Sequence, residues 1–231
     1  MSARFFLVHL IAYISLFSGL SLNLSCSAHQ ETQISPTQFL NSSQKQSKMQ
    51  AFEVHSLKNI ELKSEWLKGK KIVLHYFTTW CHPCTDQSVI LNQVHKQLLD
   101  QGKTIDWAPI HEIAYQLQSK QNRIKKLGIP LKDALALEIQ SYLQNQSAEV
   151  LILGVCLEKK GCRRLIDFKD VNQVHYGLWV GSEQQRLGYG PFGTIDAVPT
   201  TYLINSDGKL HARFQGMLMP SYLIEQIQQM R

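Results

Sequence analysis

Residues 74–86 read LHYFTTWCHPCTD, and this stretch places Cys81 and Cys84 directly after an apolar segment. The apolar run 72–77 is short and bounded by turn signals, which predicts a buried β-strand. Downstream, apolar residues recur at the spacing of one helical face, at Val89, Ile90, Val94 and Leu98. The sequence therefore predicts a strand, a Cys-x-x-Cys motif and a helix in direct succession. Such a cysteine pair serves as a redox couple, a metal clamp or a structural disulfide.

The predicted helix begins at the cysteine pair, so Cys81 lies where unpaired backbone N–H groups and the helix dipole favour an anion. The dipole contributes roughly 0.3–1 kcal/mol at an exposed site, which is less than the ~1.4 kcal/mol of one pKa unit. Strong activation of a thiolate therefore needs direct N–H bonds or a nearby cation, for which His82 is the candidate. Cys84 falls one turn into the helix, where it is shielded from large substrates but is able to attack a mixed disulfide at Cys81.

The composition is that of an ordinary globular protein. The chain has 231 residues, of which 44% are hydrophobic and 18% charged, enough for one core with tails or an insertion. The formal net charge is +6, but the Lys and Arg residues are scattered, with only short clusters such as residues 68–71. A nucleic-acid-binding protein usually concentrates its charge in a stripe that accompanies a recognisable motif. The sequence has neither feature, so we expect no nucleic-acid partner.

Residues 1–26 have the pattern of an export signal or a membrane anchor. Arg4 is the only charged side chain before Glu31, and residues 5–24 are almost entirely apolar. This apolar length falls between that of a signal-peptide core and that of a membrane-spanning helix. Cleavage of the segment and its retention as an anchor are therefore both open.

The end of this segment carries a cysteine in a suggestive setting. Residues 22–27 read LNLSCS and resemble a bacterial lipoprotein box, which makes Cys26 a candidate for lipidation; ordinary cleavage near Ala28 is the alternative. Residues 27–50 are rich in Gln, Ser and Thr and predict a flexible tether. We therefore expect a periplasmic protein that is held at a membrane through its N-terminus.

Residues 51–231 predict one α/β domain in which helices cover a mixed sheet. Strands are predicted at 52–55 (an edge strand), 72–77, 150–155, 176–180, 200–204 and 210–214, and an Asp-Gly turn joins the last two. Besides the helix after the cysteine pair, helices are predicted at 162–173 and 220–230, and a loop is predicted at 181–196. Residues 108–147 have no strand character and predict a helical insertion with two helices, separated by Gly128-Ile129-Pro130.

Two longer stretches carry a family resemblance: LKGKKIVLHYFTTWCHPC at 67–84 and AVPTTYLINSDGKLHARFQG at 197–216. They resemble the exported thioredoxin-like reductases of the TlpA, ResA and CcmG kind, whereas the helical insertion departs from that pattern. The resemblance implies a thioredoxin fold, redox chemistry at Cys81 and Cys84, and no cofactor or metal. It also implies that the protein reduces disulfides in exported proteins and receives electrons from a thiol carrier in the membrane.

The same resemblance implies the residues that contact the substrate. The Val198–Pro199 peptide bond is expected to be cis, an isomer that is accessible mainly to X-Pro bonds. In the family this turn faces the cysteine pair, and its backbone pairs with the substrate chain. Val198, Pro199 and Thr200 are therefore the expected substrate-binding residues, with Trp80 packed beside the site.

His75 stands six residues before Cys81, where thioredoxins often carry a buried acid that takes the proton of the second cysteine. A histidine at this position is either a proton relay near neutral pH or a core residue bonded to a backbone carbonyl. Burial disfavours the charged form that a relay must visit, which favours the core residue.

Cys156 and Cys162 form a second close pair. The strand that ends at Cys156 is expected to run parallel to the active-site strand, so that both emerge at one edge of the sheet. Three alternatives are open: a disulfide that closes the loop 157–161, a second redox couple that exchanges with Cys81 and Cys84, or two unrelated thiols. Export favours the disulfide.

Two other functions compete with the reductase. His82 would stabilise a thiolate, which favours a disulfide oxidant or isomerase on the same fold. Nine histidines and a cysteine pair keep a copper or zinc chaperone open. However, such copper chaperones resemble Cys-x-x-x-Cys, and no His-x₃₋₅-His pair accompanies the cysteines. Thr85 stands where covalent haem attachment needs histidine.

Overall fold

The computed structural model describes residues 47–57, 60–160 and 162–231. The predicted leader, the lipidation candidate Cys26 and residues 27–46 of the predicted tether lie outside the described residues. Within the described part of the chain, no helix combines the length and the apolar character that crossing a membrane requires.

The last residues of the predicted tether contact the C-terminal hairpin. The backbone N–H of Met49 donates to the carbonyl of Gly208 at 2.8 Å, and the N–H of Leu210 donates to the carbonyl of Ser47 at 3.1 Å. Residues 47–50, which the sequence analysis assigns to the tether, therefore contact the domain through backbone hydrogen bonds.

A mixed sheet lies at the centre of the fold and confirms the predicted α/β class. The described strands are β1 (Glu53–His55), β2 (Glu61–Lys63), β3 (Lys71–Phe77), β4 (Val150–Cys156), β5 (Gly177–Gly181), β6 (Tyr189–Gly190), β7 (Gly193–Thr194), β8 (Thr200–Ile204) and β9 (Leu210–Gln215). Seven of them form the sheet in the order β2-β1-β5-β4-β3-β8-β9, and β6 and β7 form a separate ribbon. Strands β3, β4 and β5 are parallel, and the other pairs are antiparallel.

Helices flank this sheet. They are α1 (His82–Asp100), α2 (Ala108–Ser119), α3 (Gln121–Lys126), α4 (Leu131–Asn145), α5 (Leu165–Val171), α6 (Glu183–Arg186) and α7 (Pro220–Gln229). Alternate residues of β3 point to opposite faces of the sheet, so each face has its own core. Ile72, Leu74 and Tyr76 pack with buried residues of α2 and α4. Val73 and Phe77 pack with buried residues of α1, α5 and α7.

The sheet brings three distant segments to one edge. Strand β4 is parallel to β3, as expected, and Cys156 stands in register with Phe77, the last residue of β3. Antiparallel β8 begins at the same edge, where Thr200 pairs with Tyr76. The loops that follow β3 and β4 and the segment that precedes β8 therefore meet, and each carries candidate site residues.

The edge strand is where the sequence-based prediction of the sheet is wrong. The strand predicted at 52–55 corresponds to β1, but β1 lies between β2 and β5 inside the sheet. The outermost strand on this side of the sheet is β2, which has only three residues and is too short to show an alternating pattern.

The helical elements also differ from prediction in their bounds. The insertion contains three helices rather than two, because the chain leaves helical geometry at Lys120 between α2 and α3. Helix α4 anchors the insertion by burying Leu135, Ile139 and Leu143. The helix predicted from residue 162 begins at Leu165, and the predicted loop 181–196 contains α6 and the ribbon of β6 and β7.

Candidate active site

Cys81 caps the N-terminus of α1. Its backbone is extended, with φ −85° and ψ 110°, which folds the sulfur back over the first turn of the helix. The Sγ atom accepts a hydrogen bond from the backbone N–H of Cys84 at 3.3 Å. Pro83 fits the first turn because the N–H that it lacks has no partner within the helix. The sulfurs of Cys81 and Cys84 are bonded to each other, and the capping N–H is in place for a thiolate once this bond is reduced.

The two sulfurs differ in access. Cys84 is fully buried and Cys81 is 7% exposed, so an incoming sulfur reaches the pair through Cys81. Trp80 lies next to Cys81 in the chain and is 73% exposed. Its indole is an open apolar surface directly beside Cys81.

His82 contributes little charge to the site. Its imidazole lies 3.5 Å from the carboxylate of Asp86, and the two side chains are 87% and 51% exposed. Water screens a charge in such a position strongly. His82 is therefore a weak source of thiolate stabilisation for Cys81.

The turn before β8 faces the cysteines. The Val198–Pro199 peptide bond is cis, as the resemblance implies. The carbonyl oxygen of Val198 lies 3.9 Å from the Sγ of Cys81. Thr200 is buried, and its hydroxyl donates to the carbonyl of Ala197 at 2.7 Å. The side chain of Thr200 thus makes a hydrogen bond within the turn itself.

His75 is a buried residue of β3 beneath the site. Its Nδ1 lies 3.0 Å from the hydroxyl of Thr201 on β8, so its partner is a hydroxyl rather than the predicted backbone carbonyl. The imidazole stacks on Phe77 with 5.9 Å between the ring centroids. Burial lowers the pKa of His75 to about 3. The ring is neutral at physiological pH, which disfavours a relay through the imidazolium.

Cys156 and Cys162 are joined in a disulfide that closes the loop after β4. Both residues are fully buried, and both belong to the hydrophobic cluster that contains Cys81 and Cys84. The two disulfides thus share one core beneath one edge of the sheet.

Sequence-based reasoning missed one residue at this edge, Glu158. Its Oε1 accepts hydrogen bonds from the backbone N–H of Thr79 at 2.7 Å and from the hydroxyl of Thr79 at 2.5 Å. The sequence feature that could have pointed to Glu158 is its position between Cys156 and Cys162, just after a strand that is parallel to β3. That feature became useful only once the register of β3 and β4 was known.

A metal site and a ligand cavity are the other kinds of site to consider. Among the described residues, no group of three or more His, Cys, Asp or Glu side chains is arranged to hold a metal ion. A cavity of about 430 Å³ opens near the start of β5, and its mainly apolar lining includes Trp107, Ile139 and Trp179. None of the cysteine-site residues lines it.

No protein-family model and no curated protein matches this chain. Solved structures do match it in fold. A thiol:disulfide interchange protein of the thioredoxin family from Chlorobium tepidum TLS is 14% identical, with a TM-score of 0.51 over 80% of this chain and 96% of that one. A DsbF homologue from Corynebacterium diphtheriae is 15% identical, with a TM-score of 0.54 over 87% of this chain and 97% of that one. These similarities establish the thioredoxin fold.

Proposed function

We propose that this protein is a thiol–disulfide oxidoreductase in which Cys81 is the nucleophile and Cys84 the resolving cysteine. The observation that carries the proposal is the bonded sulfur pair at the start of α1, of which only Cys81 is accessible. A helix N-terminus with an N–H aimed at the sulfur favours the thiolate that such chemistry requires.

The reaction begins with the reduced pair. The Cys81 thiolate attacks one sulfur of a substrate disulfide; an S–S bond forms to Cys81, and the other substrate sulfur leaves as a thiolate that takes up a proton. Cys84 then loses its proton and attacks the Sγ of Cys81, which releases the second substrate thiol. Two electrons pass to the substrate, and the protein is left in the disulfide form seen in the structure.

The proposed direction is reduction. The exposed His82 is paired with Asp86 and adds little to thiolate stability, whereas a strong oxidant depends on a strongly stabilised thiolate. A dithiol carrier in the membrane would return two electrons to the Cys81–Cys84 disulfide after each turnover.

The proposed substrates are disulfides of exported proteins, and the proposed location is the periplasmic side of a bacterial membrane, with anchoring through residues 1–26. The resemblance of residues 67–84 and 197–216 supports this assignment.

The reduction potential of the Cys81–Cys84 couple tests this direction. Equilibration with glutathione should give a value near the roughly −270 mV of thioredoxin, and a value near the roughly −120 mV of DsbA would contradict a reductase. In the same preparation, reduction of insulin disulfides by a dithiol should be accelerated by the wild-type protein and lost in Cys81→Ser. Glu138→Gln, which changes an exposed acid on α4, is the matched control.

A further inference from the structure

The loop that follows β4 reaches the turn that carries the nucleophile. Thr78, Thr79 and Trp80 connect the end of β3 to Cys81, and the N–H of Cys81 donates to the carbonyl of Thr78 at 3.3 Å. Glu158 contacts the middle of this turn through its two hydrogen bonds from Thr79. A carboxylate that accepts from both a backbone N–H and a hydroxyl fixes the position of that residue more strictly than either bond alone.

Glu158 is itself held in place from several sides. The N–H of Leu157 donates to the carbonyl of Phe77 at 2.9 Å, which extends the contact of β3 and β4 beyond Cys156. The guanidinium of Arg186 donates to the carbonyl of Lys159 at 3.2 Å on the other side. The disulfide then ties the end of the loop at Cys162, whose φ of +53° lies in the left-handed region that non-glycine residues seldom adopt.

We propose, on the basis of the function proposed above, that Glu158 is a positioning residue for the Cys81–Cys84 couple and that the Cys156–Cys162 disulfide holds it there. Through Thr79, the carboxylate sets where the turn delivers the Cys81 sulfur relative to the Val198 carbonyl. The second disulfide is thus a support for the active site rather than a second redox couple.

The charge of Glu158 gives the same residue a second effect. Successive Cα atoms are about 3.8 Å apart, so the Cα of Cys81 lies within about 8 Å of the Cα of Thr79. The Glu158 carboxylate is bound to a residue two positions before Cys81 and is partly buried, unlike the exposed His82 and Asp86, so water screens its charge less and it would disfavour a thiolate on Cys81. Lys159, which follows Glu158, and Arg186, which binds the Lys159 carbonyl, are the cations beside it, and both are unchanged in the variants below. Repulsion of the thiolate destabilises the reduced pair and makes the couple more reducing, in the direction of the proposed function.

Two substitutions of Glu158 separate these effects. Glu158→Gln keeps an oxygen that accepts both bonds from Thr79 but removes the charge. We expect its insulin-reduction rate to stay within about twofold of wild type, while the pH profile of Cys81 alkylation by iodoacetamide shifts about half a unit towards lower pH. Glu158→Ala removes the bonds as well, and we expect the same shift together with a roughly 10-fold loss of rate, since small displacements of a reacting group are costly.

The supporting role of the second disulfide has its own test. The double variant Cys156→Ala/Cys162→Ala should lose rate in the same way as Glu158→Ala, whereas Glu138→Gln should match wild type in every readout. A merely structural Glu158 would lower the melting temperature of the alanine variant and leave the alkylation profile of both Glu158 variants unchanged; that result would overturn the proposal. An unaltered rate in the double variant would overturn the role given to the disulfide.

Failure of the two proposals is distinguishable. If wild-type protein does not reduce insulin or exchange with glutathione, the oxidoreductase proposal itself fails. If wild-type protein is active and both Glu158 variants equal it in rate and alkylation profile, only the positioning role fails. If Glu158→Ala does not fold, Thr79→Val decides the positioning role, because it removes the hydroxyl bond to Glu158 and keeps the charge. We expect a several-fold loss of rate with an unchanged alkylation profile, and a wild-type rate in this variant would overturn the positioning role.

Discussion

The backbone carbonyl oxygen of Val198 lies 3.9 Å from the Sγ of Cys81, although the two residues are 117 positions apart in the sequence. The contact exists because β8 runs antiparallel to β3 and begins at the edge where β3 ends. A substrate chain that lies along Val198 would bring its own disulfide to the one accessible sulfur. The exposed indole of Trp80 would meet the same chain from the nucleophile's side.

Replacement of Trp80 by alanine should weaken the use of protein substrates and spare folding. We expect KM for insulin to rise about fivefold or more, because Trp is enriched among the few interface residues whose truncation costs more than about 1 kcal/mol. The rate with a small disulfide such as oxidised glutathione should change little. Val171→Ala, at an equally exposed apolar residue on α5, is the control, and equal KM values for the two variants would contradict a docking role for Trp80.

Gln87 should contribute to stability through a single buried contact. Its Oε1 accepts a hydrogen bond at 2.6 Å from the backbone N–H of Leu218, which ties α1 to the segment before α7. Gln87→Leu leaves that N–H without its acceptor and should lower the free energy of unfolding by about 1–3 kcal/mol. Denaturant titration measures this change against Gln97→Leu at an exposed position of α1. Equal unfolding midpoints would show that the contact is not stabilising.

The two disulfides should be reduced one after the other. Attack by an external thiol requires access to sulfur, and Cys81 is the only one of the four cysteines of the two pairs with measurable exposure. Graded dithiothreitol followed by alkylation and peptide mapping should label Cys81 and Cys84 before Cys156 and Cys162. The order should disappear in guanidinium chloride, where both pairs are open to solvent. Simultaneous labelling in the native protein would contradict the burial of the second pair.

His75 should make stability depend on pH. Its pKa is near 6.5 when exposed in the unfolded chain and about 3 in the folded protein, because burial disfavours the imidazolium. Below pH 6.5 the unfolded state therefore binds a proton that the native state does not. The contribution of this residue is fully present above pH 6.5 and is lost, at up to about 1.4 kcal/mol per pH unit, as the pH falls towards 3.

Denaturant titrations between pH 7 and pH 4 measure this effect in wild type and in His75→Gln. The glutamine variant should show the shallower decline, even if its stability at pH 7 is lower. His95, whose pKa burial also lowers, remains in both proteins and cancels from the difference. Parallel curves for the two proteins would contradict this account, because they would show that His75 binds no more protons in the unfolded state than in the folded state.

Much of this fold was predictable because its central segments are long and carry strong signals. The apolar runs of β3 and β4 are buried on both faces, and the Asp207-Gly208 pair does form the hairpin turn, with φ of +78° at the glycine. Strand β1 was predicted from its alternation, but β2 has only three residues and was missed, so the position of β1 between β2 and β5 depended on tertiary pairing. The break at Lys120 likewise has no proline or glycine to mark it.

The site was predictable where one local motif determines it. Cys81 and Cys84 follow from the strand, the spacing and the helix start. Glu158 did not, because a single glutamate in a loop has no motif, and its contact with Thr79 arises only from the register of β3 with β4. Thr200 shows the converse. It lies in the segment that faces Cys81, where the sequence placed it, but its hydroxyl donates to the carbonyl of Ala197 within the turn.

The central claim is that the Cys81 sulfur attacks a substrate disulfide and Cys84 resolves the adduct. The most direct test incubates reduced Cys84→Ser protein with insulin and looks for a mixed disulfide on a non-reducing gel, with peptide mapping of the linked cysteine. The account predicts a stable adduct through Cys81 in Cys84→Ser and none in Cys81→Ser. An adduct of equal yield in Cys81→Ser, or none in either variant, would contradict it.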